Sequence, residues 1–359
     1  MRRLMMINTY YQLIVGIQLA NTIFRNDEVV VLISDHSRNA CNIASKLSNM
    51  GIFKQTLYIK TRGSKDNRSF IEKACDFLQI SFWEKNRYSY YLEKVDNLFF
   101  DELIFYNYNA SILGVFSNLS DVNKEVKVSI FEEGIINYTD TTVLTTSKKI
   151  IGLLRRFQNK ASIDRMFNNF YCFYSTLYHG SFQPVTIPLV EIGSDTADLL
   201  KRVFNPDLSI YNKKYIFFTS VYDFEGGKPV GEYELVCKVA DLVGKDNLLV
   251  KTHPRDVRTI YTDNGFNVDK NSSIPWEVIQ LSGDFSDKVF MTINSGSVLS
   301  GNTMSDKTVR TYYMYKLCDL TENEPCKKNA RYIESLLKNE NMKKILRTVK
   351  IAERLEDIL

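Results

Sequence analysis

No two aspartates lie two residues apart anywhere in this chain, so the D-x-D pair that holds a divalent cation in many phosphate-handling enzymes is missing. A G-x-x-x-x-G-K-[ST] loop and an H-E-x-x-H helix are missing as well, which removes the signatures of a P-loop and of a zinc protease. Any bound phosphate must then be neutralised by backbone amides, hydroxyls and isolated basic side chains. Charge of one sign is also scarce. A formal +4 over 359 residues lacks the gathered basic excess of a nucleic-acid binder, so no nucleic-acid partner is expected. No apolar run reaches the roughly 18 residues that a membrane span needs.

The cysteines are few and scattered, at Cys41, Cys75, Cys172, Cys237, Cys318 and Cys326, with no C-x-x-C pair and no histidine at ligand spacing. Most have apolar neighbours, which predicts buried, reduced thiols and a reducing compartment. The opening MRRLMMINTYYQ sets two arginines before apolar residues, as a signal peptide does. Asn8, Thr9 and Gln12 interrupt that run and no small-residue cleavage site follows, so a cytoplasmic location is expected.

What is present has the apolar and charged content of an ordinary globular protein, and its length suits two middling α/β domains. Strands are predicted at Leu4–Asn8, Glu28–Ser34, Gln55–Ile59, Glu102–Tyr106 and Val126–Phe131, with helices over Gln12–Phe24, Ala40–Met50, Phe70–Leu78 and Ile112–Leu119 between them. Residues 141 to about 185 lose the alternation. It returns with strands at Lys214–Ser220, Asn247–Lys251 and Lys288–Ile293, helices at Gly231–Val243 and from Ile274, and a charged helical tail, Tyr332–Leu359. Continuous β-branched runs between helical patterns predict parallel sheets buried on both faces, hence two Rossmann-like α/β domains. Pro184, Pro188 and Pro206 punctuate a boundary between 185 and 210, which divides the chain into 1–190 and 191–359.

Several short motifs fall at or near predicted strand ends, where parallel sheets place ligands. In Glu132-Glu133-Gly134 the two acids point to opposite sides, so one enters a cleft while the other pairs locally. A partly desolvated carboxylate there could take a proton from a hydroxyl; a solvated acidic turn fits the tripeptide as well. His253-Pro254 directly follows the strand NLLVK. Proline suits the first turn of a helix beginning near Arg255, whose amides, with the imidazole, Lys251 and Arg255, would seat a phosphate. A chance His-Pro is equally open. Asn294-Ser295-Gly296-Ser297 follows the strand VFMTI and offers hydroxyls and amides to phosphate, or an ordinary helix cap. Glu277, in Pro275-Trp276-Glu277, could hold ribose hydroxyls or act as a first-turn acid.

Taken in order, the acid-acid-Gly strand end, the His-Pro pair and the two serines resemble the bacterial sialyltransferases, and most closely glycosyltransferase family 52, which includes lipooligosaccharide and capsule sialyltransferases. The opening INTYYQLIVGIQLA is similar to that family's Thr-Pro-x-Gln turn and Leu-rich helix; Thr9 and Gln12 fit, while Tyr10 stands in place of proline. The resemblance implies a GT-B arrangement, two Rossmann-like domains facing across a cleft, with acceptor on 1–190 and donor on 191–359. It implies metal-independent, inverting transfer of sialic acid from CMP-sialic acid to a terminal sugar hydroxyl, galactose in the first instance, of a surface glycan, with no cofactor. Glu133 would be the general base and His253 would bond the departing CMP phosphate. Ser295 and Ser297 would hold that phosphate, Glu277 and the Pro275 turn would lie near the nucleoside, and Asn294, Pro254, Lys251, Thr9 and Gln12 would complete the binding set. Two rivals stand beside it. One is a related family 52 transferase using UDP-glucose or UDP-galactose. The other is a non-enzymatic two-domain sugar-binding protein, which predicts an export signal not seen here.

Lys148 to Phe157 (KKIIGLLRRF) mixes basic and bulky apolar residues. As a helix it could lie on an anionic bilayer, placing the protein peripherally at the inner face of the cell membrane. Alternatively it packs its apolar stripe on the core and leaves the basic residues in water. Lys343, Lys344 and Arg347 form a weaker basic group. A homodimer is a further partner left open by the sequence.

Overall fold

The computed structural model describes residues 1–61, 69–82, 86–106, 109–138, 146–225, 227–269, 274–305 and 307–359; the opening of the irregular stretch, 141–145, falls outside these. The chain divides into two compact units, Met1–Pro188 and Leu189–Leu359. In the first, β1 (Arg2–Ile7), β2 (Glu28–Ser34), β3 (Gln55–Ile59), β4 (Glu102–Phe105), β5 (Lys127–Phe131), β6 (Phe167–Cys172) and β7 (Gln183–Thr186) form one sheet in the order β3-β2-β1-β4-β5-β6-β7. In the second, β8 (Tyr215–Phe218), β9 (Leu248–Lys251), β10 (Asn267–Asp269), β11 (Val289–Thr292), β12 (Arg310–Tyr313) and β13 (Val349–Ile351) follow the order β10-β9-β8-β11-β12-β13. Every pairing is parallel. The α/β class with parallel sheets, expected from the sequence, is what the chain forms.

The strand sequences explain this directly. β2 and β11 are buried along nearly their whole length on both faces, as helices covering both sides of a parallel sheet require. Helix Tyr10–Asn21 starts at Thr9, whose hydroxyl accepts the Gln12 N–H, and is buried from Gln12 through Leu19. In both units the strands are laid outward from the first strand on one side, and the chain then returns to continue on the other. The winding therefore reverses between β1 and β4, and again between β8 and β11. At such switch points the connections diverge and leave a crevice outside the carboxyl ends of the strands.

Three local expectations are corrected. The stretch to residue 185 contains β6 and β7, which periodicity missed because β6 carries Asn168 and Asn169 and β7 carries Pro184. Proline is tolerated in β7 because that strand lies at the sheet edge. The tail is not wholly helical: after helices Glu324–Lys338 and Glu340–Ile345, β13 adds to the edge of the second sheet beside β12. All six cysteines are free, with Cys172 and Cys326 buried, Cys237 and Cys318 half-buried, but Cys41 and Cys75 exposed. These two sit on the outer faces of helices Ala40–Met50 and Phe70–Phe82. The first of these helices buries Ala40, Ile43, Ala44 and Leu47 instead. Among the described residues no helix is long and apolar enough to cross a membrane.

An ionic knot ties the amino edge of the first sheet together. Glu102, fully buried at the start of β4, forms an ion pair with Arg3, its register partner on β1. Ser129 of β5 and Tyr171 of β6 donate to the same carboxylate. Arg3 also reaches Asp27 at 2.8 Å and lies over the Phe24 ring at 4.1 Å. Removing one member of such a pair strands the other charge in the interior. Glu102→Ala should therefore lower unfolding free energy by about 3–5 kcal/mol, read from equilibrium urea unfolding. A loss under about 1 kcal/mol would mean that Asp27 alone satisfies Arg3.

Candidate functional site

The Glu-Glu-Gly turn leaves the carboxyl end of β5 with its two acids in opposite environments. Glu132 is fully buried and accepts hydrogen bonds from the Tyr11 hydroxyl at 2.9 Å, the Phe173 N–H at 3.0 Å and the Tyr138 hydroxyl. Burial without a cation pushes its carboxyl up to about 6, although all three bonds oppose the shift. Gly134 has φ +113°, a region closed to L side chains, and a Cβ there would meet nothing within 4 Å. Backbone geometry, not crowding, demands the glycine.

Glu133 is half-buried on the other side. The Thr9 hydroxyl donates to its Oε1 at 2.8 Å. Thr9 follows β1 and accepts the Gln12 N–H at 3.3 Å, while buried Gln12 takes the Asn8 N–H on its Oε1 at 2.7 Å. Burial raises the Glu133 pKa; Thr9, Gln12 and the charge of His36 pull it back. Thr9, Gln12 and Glu133 thus form one cluster at the carboxyl edge. Sequence reasoning assigned His36 no role, although a histidine directly after β2, next to β1 in the sheet, was a readable signal.

In the second unit His253 stands just beyond β9, and its backbone N–H donates to the Thr219 hydroxyl just after β8 at 2.9 Å. The helix expected near Arg255 is not formed. Pro254 and Arg255 make a turn closed by the Asp256 N–H on the His253 carbonyl at 2.8 Å, and helix begins only at Ile260. The cause is local: Asp256 binds both the N–H and the guanidinium of Arg258, and His253 Nδ1 accepts the Arg255 N–H at 3.1 Å. No row of helix-start amides remains for a phosphate. The same bond assigns the tautomer, since an accepting Nδ1 puts the neutral ring's proton on Nε2. Burial lowers the His253 pKa, helped by Arg255 and opposed by Glu225 and Asp256. Arg255 itself is exposed and paired with Glu225 at 2.7 Å.

Ser295 and Ser297 lie half-exposed after β11, separated from β9 by β8, a distance of two strand spacings or about 10 Å. Ser295 does not cap the following turn with its side chain; its N–H is held by Thr292 and its carbonyl by the Tyr313 hydroxyl. Glu277 is half-buried and accepts the Ser300 hydroxyl at 2.7 Å. Burial raises its pKa, while Ser300 and Lys251 oppose.

Two of the expected binding residues have partners within the chain. Asn294 turns inward and donates to the carbonyl and Sγ of Cys326, both at 3.1 Å, so it anchors the β11 loop to helix Glu324–Lys338. Lys251 is paired with Asp269 at 2.7 Å beside the Trp276 ring, so its charge is already neutralised. The sequence also concealed Asp223. Its carboxylate accepts the N–H groups of Val230, Gly231, Glu232 and Tyr233 at 3.0–3.2 Å, which fills the anion seat at the start of helix Glu232–Val243 from within. Among the described residues no group of three or more His, Cys, Asp or Glu is placed to hold a metal ion.

No protein-family model matches the chain, and no curated protein matches it in sequence. Among solved structures it is similar to the sialyltransferase from Photobacterium damsela, with 13% identity and a TM-score of 0.49 over 98% of this chain and 81% of that one. It is similar to the α/β-galactoside α-2,3-sialyltransferase of Photobacterium phosphoreum, with 12% identity and a TM-score of 0.48 over 100% and 99% of the two chains. It is also similar to the UDP-GlcNAc 2-epimerase of Methanocaldococcus jannaschii, with 8% identity and a TM-score of 0.48 over 100% and 90%.

With His36, His179 and His253 the only histidines, the imidazoles can be followed individually by NMR titration, with His253→Gln giving the assignment. His253 should titrate below 6.5. The unfolded chain then takes up this proton first, so the neutral ring's contribution to stability is present above pH 6.5 and is lost as the pH falls through the folded value. A midpoint at or above 6.5 would contradict burial and the Arg255 charge as the dominant influences on this ring.

Proposed function

We propose that this chain is a GT-B glycosyltransferase that moves sialic acid, with inversion and without a metal ion, from CMP-sialic acid to a sugar hydroxyl of a surface glycan. The observation that carries the reading is an acid–base candidate at the carboxyl edge of each unit taken by itself. In one unit a half-buried carboxylate, Glu133, is held by Thr9 with its pKa raised. In the other, an imidazole kept neutral bears its proton on Nε2. Each belongs to the carboxyl edge of its own parallel sheet. The ordered motifs and their resemblance to family 52 support CMP-sialic acid as the donor.

In this reaction the acceptor oxygen bonds to the anomeric carbon as the bond from that carbon to the phosphate oxygen breaks. Glu133 takes the acceptor's proton, and the raised pKa makes it a better base than a solvated carboxylate. The electron pair of the broken bond goes to the CMP phosphate. Charge grows there because the sugar departs with oxocarbenium character. His253 Nε2–H and the hydroxyls of Ser295 and Ser297 meet that charge, and a preorganised donor in such a place supplies about 3–4 kcal/mol. Lys251 and Asn294 would support the site from behind through Asp269 and Cys326.

The test is release of CMP from CMP-sialic acid in the presence of lactose, with and without chelator. Turnover should survive the chelator. Glu133→Gln should lower kcat by about 10²–10⁴, and His253→Ala by about 10²–10³. Thr9→Val removes a bond to the ionised base, so the acid limb of the pH–rate profile should move to higher pH. Turnover of UDP-glucose or UDP-galactose in place of CMP-sialic acid would overturn the donor. Full activity in both single variants would overturn the site.

A further inference from the structure

Two neighbouring helices hold apolar side chains in water. On helix Phe70–Phe82, Ile71, Leu78 and Phe82 are 73%, 43% and 43% exposed; on helix Thr146–Phe157, Ile150, Leu153 and Phe157 are 44%, 46% and 78% exposed. The spacings i, i+7, i+11 and i, i+3, i+7 each define one stripe of a helix. The helices are joined at their carboxyl ends, where Arg155 donates to the Ile80 carbonyl at 3.1 Å, Gln158 to that of Ser81 at 2.8 Å and Lys160 to that of Phe82 at 3.3 Å.

The exposed stripes are not core facing the wrong way. The second helix already has an inner face: Ile151 is buried, and buried Arg155 donates to Ser117 and Ser120. The sequence alternatives for residues 148–157 therefore divide by residue, with Ile151 packed inward while Ile150, Leu153 and Phe157 remain outside. The charges around the stripes have one prevailing sign. From Thr146 through Ile163 there is no acid, against Lys148, Lys149, Arg155, Arg156 and Lys160. Arg156 is held by Asp164 at 2.8 Å, Lys149 is exposed, and Lys148 and Lys160 are partly so. On the first helix Asp76 turns inward to Arg87 at 3.1 Å, and Glu72 binds Ser69 at the helix start.

We propose that this two-helix face docks on an anionic bilayer, with the two apolar stripes entering the headgroup boundary and the lysines meeting lipid phosphates. Apolar area and basic rim together are what an interfacial helix surface requires. The inference is independent of the reaction proposed above, since it uses none of that site's residues.

The experiment is flotation of the full-length chain with vesicles of phosphatidylcholine alone or mixed with phosphatidylglycerol, alongside sedimentation velocity without lipid. Binding to the anionic vesicles should be roughly tenfold or more tighter than to the neutral ones. It should be lost in Leu153→Glu and in Phe157→Glu, which change exposed positions and should keep the wild-type melting temperature and CMP release on lactose. Lys149→Glu should weaken binding to anionic vesicles alone. Absence of binding to either vesicle, or unchanged binding in both glutamate variants, would overturn the proposal. So would a lipid-free dimer that Leu153→Glu dissociates, since the face would then be covered by a second copy.

Discussion

All strands in each unit run the same way, and most of the remaining structure depends on that constraint. A parallel sheet cannot be built from hairpins; each strand must be reached by a crossover that buries both faces. Only two edges are left for polar chemistry, and they are not equivalent. Across β1, β4, β5 and β6 of the first sheet, Arg3, Glu102, Ser129 and Tyr171 form a closed ionic knot. At the carboxyl edges lie Thr9, Glu133, His253 and the serine turn, all on connections after strands.

Around the carboxyl edges, most charged groups are already engaged. Asp223 is held by four amides, Lys251 by Asp269, Arg255 by Glu225, and Glu132 by two tyrosines and an amide. Such internal pairing lets the loops hold their shape without a ligand. In the adjacent acids, one residue of sequence distance moves a carboxylate from a sealed tyrosine cage to a half-open position beside Thr9.

The fold was legible because buried parallel strands write themselves as unbroken apolar runs: Glu28–Ser34 and Gln55–Ile59 are found where the pattern puts them. The edge strands β7, β10 and β13 were not, because three residues carry no period in β10 and β13 and β7 holds a proline that only an edge admits. The placement of Glu133, His253 and the serines after β5, β9 and β11 was also legible, since position after a strand is a property of local sequence. Partnerships were hidden. Whether Lys251 meets a ligand or Asp269 depends on a residue eighteen positions away, and the turn after His253 depends on Asp256 competing for Arg258 and on the imidazole taking the Arg255 amide. The first case turns on a partner from another strand, and the second on a competition between side-chain and helical hydrogen bonds within five residues, which residue types alone do not decide.

Thr9 has a consequence for which substitutions the chain could accept. Helix caps are usually interchangeable among serine, threonine, aspartate and asparagine, because the helix needs only an acceptor oxygen. The Thr9 oxygen accepts from Gln12 and, through its own hydrogen, donates to Glu133. Aspartate would cap as well, yet it would set a second negative charge against Glu133 instead of a donor. Asparagine would have to present its oxygen to the helix and its amide to the acid at once, across a longer side chain. Of the good caps only serine reproduces both bonds with one atom. A position that looks replaceable by the rules of helix capping is thus narrowed to hydroxyl residues by a carboxylate 124 residues away.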